Sequence, residues 1–293
     1  MVTVTTRAVK SPYLVPFKGS FSVNKVRTDP SGKPPSREAC KVSLSATIKQ
    51  LNRQQQMLYA DNRFSVLCIF QAIDAAGKDS TIRAVTRGIN PAGFQVYSFK
   101  QPSAEELDHD FLWRTNRCLP ERGRIGIFNR SYYEEVLVVR VHPEYLKSQR
   151  LPQINRKKIW QERYDSIREH ERHLARNGTV ILKFWLNVSK DEQRKRFLDR
   201  IRVKKKNWKF SNSDLEERKL WKSYMSAFQQ ALSATSRPWA PWYAVPADDK
   251  PFMRLTVAKI LLETLKKLKL SYPRLSQAKR DELRQVQARL ESE

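Results

Sequence analysis

The feature that most constrains the fold is a short apolar run, Phe64–Phe70, that is soon followed by a Gly-Lys pair. The run is rich in aromatic and aliphatic residues along its whole length, as in a parallel strand that is buried on both faces. Gly77 and Lys78 then open a segment that we predict to be helical as far as about Ile89. A buried strand, a tight turn and a helix in that order predict an α/β unit whose turn lies at the carboxyl edge of a sheet.

The same alternation continues along the chain. Further strands are predicted at 93–99, 124–129, 179–188 and 242–245. Helices are predicted at 41–62, at 103–118 with a Ser103/Glu106 capping box, at 152–176, after Ser189, and at 251–268. Because strands alternate with helices, we expect an α/β fold in three layers, with a mostly parallel sheet covered by helices on both faces.

The domain organisation is predicted from composition. Residues 1–40 are rich in Ser, Thr, Pro and Lys and should form an extended arm. Residues 41–270 should form the main folded domain, and the charged segment 271–293 should form a helical tail.

The charge of the chain narrows the function. The 293 residues include 56 Lys and Arg against 30 Asp and Glu, so the formal net charge is +26. A compact protein with this excess repels itself, and a polyanionic partner is the usual reason for it. Nucleic acid, an anionic membrane surface and polyphosphate remain open at this point, beside a merely solvated basic surface.

Cysteine usage and hydropathy predict the cellular compartment of the protein. The three cysteines, Cys40, Cys68 and Cys118, are widely spaced and form neither a disulfide framework nor a zinc motif. Cys68 lies in the apolar run and is predicted to be a core residue. No signal peptide and no membrane span are evident in the sequence. We therefore expect a cytoplasmic protein without a membrane partner.

The segment Asp74–Thr81 carries the clearest chemical signal. A strand that feeds a helix through a tight turn directs backbone N–H groups and the helix dipole at one point, and Lys78 adds a full positive charge. This pattern predicts binding of a phosphate chain by Ala75, Ala76, Gly77, Lys78, Asp79 and Ser80. Ala72 and Asp79 depart from the standard phosphate-loop motif, and Asp74 offers an oxygen ligand for magnesium instead.

Polar residues also follow the third predicted strand. Because ligands bind beyond the carboxyl ends of parallel strands, Asn129 and Arg130 are candidates for a metal contact and a phosphate clamp. Arg130 is predicted to stabilise charge on a transferring phosphoryl group. Glu134, one helical turn further on, is predicted to face the same space or, alternatively, to be an exposed helix charge.

A basic segment begins after the fourth predicted strand. Arg196, Arg200 and Lys204 are spaced four residues apart, which predicts a row of positive charge on one helix face. Such a row suits a long anion such as polyphosphate, although a solvated basic helix would have the same pattern. By position, residues of about 190–236 are predicted to form a helical lid.

Several separated motifs together resemble the family-2 polyphosphate kinases over about Phe64–Leu268. The motifs are Asp74–Thr81, Arg87–Pro91, Lys100–Ser103 with Glu106 and Leu107, Asp110–Arg114, Phe128–Glu134, and Glu192 and Gln193 with Arg196 and Phe197. The resemblance implies a P-loop kinase-like core with a helical lid. It also implies transfer of phosphoryl groups between inorganic polyphosphate and adenine nucleotides, dependent on Mg²⁺ or Mn²⁺.

The resemblance also assigns roles to single residues. It implies that Asp74 lies near magnesium, that Lys78 is the phosphate-loop lysine, and that Arg130 and Arg196 are catalytic arginines that contact polyphosphate. Arg87 falls in a motif expected to contact nucleotide. Many members carry Asp where this chain has Asn129, so Asn129 is a provisional metal ligand. The form Asn-Arg-Ser-Tyr-Tyr-Glu is similar to the class that accepts both AMP and ADP.

Two rival functions remain open in the sequence. An ATP-dependent nucleotide or nucleoside kinase would share the phosphate loop but would not explain the charge excess. A nucleic-acid-binding protein would use the basic helix, with Trp208 and Phe210 stacking on bases, but would leave the phosphate loop unexplained. We expect a homo-oligomeric polyphosphate kinase that does not bind nucleic acid.

Overall fold

The structure is a computed structural model that describes residues 8–293. Its strands are β1 (Ser65–Gln71), β2 (Phe94–Ser98), β3 (Ile125–Asn129), β4 (Thr179–Asn187) and β5 (Trp242–Pro246). Its helices are α1 (Arg37–Asp61), α2 (Lys78–Val85), α3 (Ala104–Leu107), α4 (Trp113–Asn116), α5 (Glu134–Val141), α6 (Ile159–Arg176), α7 (Lys190–Arg202), α8 (Ser213–Lys219), α9 (Trp221–Thr235), α10 (Lys250–Lys267) and α11 (Gln277–Glu291).

The five strands form one sheet in the order β2-β3-β1-β4-β5, and every neighbouring pair is parallel. The prediction of a mostly parallel sheet is therefore confirmed. Phe70 of β1 pairs with Asn129 of β3, and Ser98 of β2 pairs with Asn129 on its other side. The chain segments that leave these three strands therefore emerge side by side at the carboxyl edge of the sheet.

Helices cover both faces of the sheet, as the alternation predicted. Strand residues such as Cys68 and Phe184 pack with α1, α2 and α10 in one apolar core. Their sequence neighbours Leu67 and Trp185 point the other way and pack with α5, α6 and α9 in a second core. This alternation follows from the two-residue period of a strand, and it confirms Cys68 as a core residue.

The described part of the N-terminal segment runs along the edge of β5. Val15 N donates to Trp242 O at 2.9 Å, and Ala244 N donates to Tyr13 O at 2.8 Å. Val9 is buried in the first core and Val15 in the second, so this segment passes from one face of the sheet to the other. It thereby pairs the backbone groups that β5 would otherwise expose as an edge strand.

Several helix bounds differ from the predictions. α1 begins earlier, since Ser36 Oγ accepts a hydrogen bond from Ala39 N at 3.1 Å and caps the helix there. The single helix predicted at 103–118 is wrong. Two four-residue helices, α3 and α4, replace it, because Asp110 Oδ1 accepts from Leu112 N in a local turn that competes with the helix. The Ser103/Glu106 capping box itself is confirmed.

The predicted row of positive charge on α7 is also wrong. The helix ends at Arg202, and Lys204 lies in a following 3₁₀ turn, Lys204–Lys209. Asn207 Nδ2 ends the helix by donating to Arg200 O at 2.8 Å and to Ile201 O at 2.6 Å. Arg196 is buried at the opposite end of the predicted row, so the three residues do not form one exposed face.

The predicted tail is helical as α11, and it contains no buried residue. Among residues 8–293, no helix combines the length and the apolar character that crossing a membrane requires.

Candidate active site

The loop between β1 and α2, residues 72–77, lies in the segment that the sequence predicts to bind phosphate, and we call it the phosphate loop. Its backbone turns through two left-handed residues, Ala75 with φ +61° and Gly77 with φ +107°. A Cβ atom at Gly77 would lie 3.2 Å from the terminal methyl of Met253 and 3.5 Å from Ser80 Oγ. Glycine therefore satisfies both the backbone conformation and the space at the start of α2. A left-handed alanine is unusual and signals backbone strain of the kind that accumulates at functional sites.

Lys78 is the first residue of α2, and its side chain folds back over the phosphate loop. Its Nζ donates to Ala72 O at 2.8 Å and to Ile73 O at 3.4 Å. Burial lowers the pKa of Lys78 to about 8, and repulsion from Arg130 acts in the same direction against the attraction of Asp74. Lys78 therefore lies in a pocket where a bound anion would restore its ordinary pKa.

Arg130 follows β3 and is the second non-glycine residue of the site with a left-handed backbone, at φ +65°. Its guanidinium donates from Nη2 to Asp74 Oδ1 at 2.8 Å and from Nη1 to Glu134 Oε2 at 2.9 Å. Attraction to Glu134 and then to Asp74 raises the pKa of Arg130 above its ordinary value. The structure thus brings Asp74, Arg130 and Glu134 together, at the end of the strand next to the phosphate loop.

Asn129, the last residue of β3, contacts the start of α2. Its Nδ2 donates to Asp79 Oδ1 at 2.6 Å and to Ser98 Oγ at 3.3 Å. Its Oδ1 is buried and has no hydrogen-bond partner in the described part of the chain. A buried oxygen without a partner is unfavourable unless something binds it, so this atom marks a place for a donor or a cation.

α7 fixes the back of the phosphate loop. Gln193 Nε2 donates to Asp74 O at 3.0 Å, and Arg196 Nη1 donates to Ala75 O at 3.0 Å and to Ala76 O at 2.7 Å. Three consecutive carbonyl groups of the loop are therefore bonded to one helix. These bonds compensate for the strained backbone of Ala75, since strain of this kind persists only where its surroundings oppose its release.

Arg196, predicted to contact polyphosphate, directs its guanidinium at protein groups in this structure. Its Nη2 donates to Ala247 O at 2.6 Å and to Asp248 O at 3.2 Å, and its Nε donates to Glu192 Oε1 at 2.9 Å. A guanidinium has five N–H donors. The bonds to these three acceptors and to the carbonyls of Ala75 and Ala76 engage all five. In this conformation Arg196 has no donor left for a phosphate group.

The other residues expected in the site are more scattered. Ser80 Oγ donates to Gly77 O at 3.0 Å, within the first turn of α2. Arg200 lies 3.5 Å from Asp214 Oδ2, and Lys204 is exposed. Arg87 is exposed beyond the end of α2 and makes no hydrogen bond to another described side chain or backbone group.

A cleft opens beside Asp74 and Arg130. Its other wall consists of residues that the sequence analysis missed, namely Asp214, Glu217, Arg218, Trp221 and Tyr224 from α8 and α9. Arg218 Nη1 donates to Gln193 Oε1 at 2.8 Å, and Tyr224 Oη donates to Glu217 Oε2 at 2.6 Å. No local pattern marks these residues, because they reach the site only through the packing of α7, α8 and α9.

Comparison with known proteins identifies the family. The model of the family described as Polyphosphate kinase 2 matches residues 35–273 of this chain. The chain is 58% identical over 257 residues to an ADP-polyphosphate phosphotransferase of Rhodopseudomonas palustris, covering 87% of this chain and 89% of that protein. It is 43% identical over 262 residues to an AMP/ADP-polyphosphate phosphotransferase of Meiothermus ruber, covering 89% of this chain and 94% of that protein.

A solved structure agrees with this result. The crystal structure of polyphosphate kinase 2 from Arthrobacter aurescens TC1 superposes with a TM-score of 0.84 at 36% sequence identity, covering 95% of this chain and 99% of that one. The match includes the parallel sheet and the surrounding helices, so it extends well beyond the phosphate loop. The chain belongs to the polyphosphate kinase 2 family and is a phosphotransferase enzyme.

Proposed function

We propose that this enzyme transfers the terminal phosphoryl group of inorganic polyphosphate to ADP, reversibly and by direct in-line displacement. The observation that carries the proposal is the convergence of Lys78, Arg130 and the N-terminus of α2 at the carboxyl ends of β1 and β3. Two cationic side chains and a helix dipole directed at one point suit a reaction in which negative charge is redistributed over phosphate oxygens.

Each residue of the site then has its own role in phosphoryl transfer. Lys78 and Arg130 neutralise charge that develops on the transferring group, while the backbone of the phosphate loop positions the donor. An oxygen of the β-phosphate of ADP attacks the terminal phosphorus of the donor. As the new P–O bond forms, the bond from that phosphorus to the bridging oxygen breaks, and polyphosphate shortened by one phosphate leaves with that oxygen. No covalent intermediate on the protein is required. Arg196 acts through the loop, because its donors are engaged with loop carbonyls in this conformation.

A divalent cation fits the site. Mg²⁺ is usually bound by one or two carboxylates together with substrate phosphates. Asp74 offers a partly exposed carboxylate, and the unpartnered Oδ1 of Asn129 lies at the end of the neighbouring strand. We propose that Asp74, with Asn129 as a second oxygen donor, would hold Mg²⁺ or Mn²⁺. When bound, the cation would neutralise the phosphates that must approach each other.

Polyphosphate, rather than ATP, is supported as donor by unneutralised charge beside the phosphate loop. Arg83 of α2 and Lys250 and Arg254 of α10 form no ion pair within residues 8–293, and Arg254 Nε is buried without a partner. Burial and then repulsion from Arg83 and Arg196 lower the pKa of Arg254. A polyanion longer than a nucleotide triphosphate would relieve this repulsion. We call these three residues the basic patch.

AMP is proposed as a second acceptor. One relative named above is called an ADP-polyphosphate phosphotransferase and the other an AMP/ADP-polyphosphate phosphotransferase, so similarity alone leaves the point open. The proposal rests on the segment Asn129–Glu134, which has the form expected of the dual-acceptor class.

The test is ATP formation by the purified protein with MgCl₂, long-chain polyphosphate and either ADP or AMP. We expect ATP from ADP, and from AMP after ADP has formed, with none in polyphosphate-free controls. Phosphate transfer from ATP to a small acceptor, with no polyphosphate-dependent product, would contradict the proposal.

A further inference from the structure

A buried ion pair lies beneath the sheet, outside the cleft. Lys183 is in the middle of β4, and its Nζ lies 2.6 Å from Glu171 Oε2 of α6. Both side chains have zero exposure. Removing two charges from water costs so much that such a pair is weak evidence for stability by itself. Its contacts with the rest of the chain indicate what else it does.

The pair is bonded to the segment that follows Arg130. Glu171 Oε1 accepts from the hydroxyl groups of Tyr132 at 3.0 Å and Tyr133 at 2.9 Å. Lys183 Nζ donates to the same Tyr133 hydroxyl at 2.8 Å. Both tyrosines are almost completely buried. Two side chains next to the catalytic segment are therefore anchored to one charged pair in the core.

The backbone at Arg130 needs such an anchor. Arg130 has a left-handed backbone, which a non-glycine residue adopts only when its surroundings impose it. Its N–H donates to Phe70 O at 3.0 Å, and the next residue, Ser131, accepts through Oγ from Tyr133 N at 3.1 Å. The turn is thus bonded to β1 on one side and to the tyrosines on the other, and it directs the guanidinium between Asp74 and Glu134.

The same ammonium group also reaches the end of α9. Lys183 Nζ donates to the carbonyl of Thr235, the last residue of that helix, at 2.9 Å. Thr235 Oγ1 in turn accepts from Trp242 Nε1 at 2.9 Å. Since α9 supplies Trp221 and Tyr224 to the cleft, the ion pair connects two walls of the active site to the fixed strand β4.

We propose that Lys183 and Glu171, acting through Tyr132 and Tyr133, are positioning residues that hold Arg130 in its catalytic orientation. The inference rests on the function proposed above. Misplacing a catalytic group by about 1 Å can reduce the rate by about 100-fold, so a loosened anchor should lower kcat more than it changes substrate binding.

The test uses Tyr133→Phe, which removes one hydroxyl and leaves the ion pair in place. We expect kcat for ATP formation from polyphosphate and ADP to fall by about tenfold or more, with KM for ADP changed less than about threefold. The matched control is Tyr243→Phe. Tyr243 is equally buried, but its hydroxyl bonds to Val9 on the other face of the sheet. We expect that variant to retain wild-type kcat.

A double-mutant cycle separates positioning from a general loss of structure. If Tyr133 acts through Arg130, Tyr133→Phe should reduce kcat far less in an Arg130→Lys background than in the wild type. Tyr132→Phe serves as a second probe if Tyr133→Phe does not fold. Wild-type kcat in both Tyr133→Phe and Tyr132→Phe would overturn the inference. An equal fold reduction of kcat by Tyr133→Phe in the wild-type and Arg130→Lys backgrounds would overturn it as well. Absence of polyphosphate-dependent activity in the wild type would instead contradict the proposed function.

Discussion

Replacing Arg196 by lysine should separate a positioning role from direct catalysis. Lysine keeps the charge but has a single ammonium in place of a planar fork, so it cannot reach the carbonyls of Ala75, Ala76, Ala247 and Asp248 together. Removing a partner from a buried charged network costs about 3–5 kcal/mol. Part of that is recovered by the remaining ammonium bonds, so we expect Arg196→Lys to lower the free energy of unfolding by about 2–4 kcal/mol.

The assay combines urea denaturation with steady-state kinetics at a temperature well below the unfolding transition. We expect kcat to fall by about 100-fold together with the loss of stability, because the loop that orients the donor is displaced. Arg194→Lys is the control, since Arg194 is exposed on the same helix, and it should change neither quantity. A large fall in kcat with unchanged stability would refute the positioning argument and favour a direct contact between Arg196 and phosphate.

Three further predictions follow from the site. Lys78→Ala and Asp74→Asn should each reduce kcat by orders of magnitude with little change in the unfolding midpoint, and wild-type rates in either would contradict the proposed roles. In the free enzyme the pKa of Lys78 is lowered to about 8, so its ammonium is lost as pH rises through that value. The kcat/KM for polyphosphate, which reports the free enzyme, should therefore fall above about pH 8, and Lys78→Arg should flatten that limb. Arg254→Gln should raise KM for long-chain polyphosphate but not for a short oligophosphate, whereas Arg289→Gln on the exposed α11 should change neither.

The sheet was predictable because its information is local. β1, β3, β4 and β5 are short apolar runs whose residues are almost all buried, whereas the edge strand β2 is partly exposed. Each strand is separated from the next by a helical pattern. The strand, turn and helix around Gly77 were equally predictable, since their order determines where the N–H groups of the turn point. The approximate place of Arg130 followed from the rule that ligands bind at the carboxyl ends of parallel strands.

Helix bounds were predicted less well, because single side-chain bonds decide them. Asp110 breaks one predicted helix and Asn207 ends another, and both act by offering the backbone a local alternative partner. Such residues occur in many contexts, so their presence in a sequence does not reveal which bond they make.

The sequence by itself thus determined the α/β class, the phosphate loop and the identity of the cationic groups near it. Only the tertiary structure decided which partners those groups have. Both arginines carry the same guanidinium group. Arg130 lies between two carboxylates in the cleft, whereas Arg196 donates to four carbonyl groups of distant loops. In the sequence, Lys183 is a charged residue within an apolar strand. Only the folded structure shows that Glu171 and Tyr133 bind its ammonium group. A charge in a protein acts according to what lies within a few ångströms of it, and those neighbours come from segments far apart in the chain.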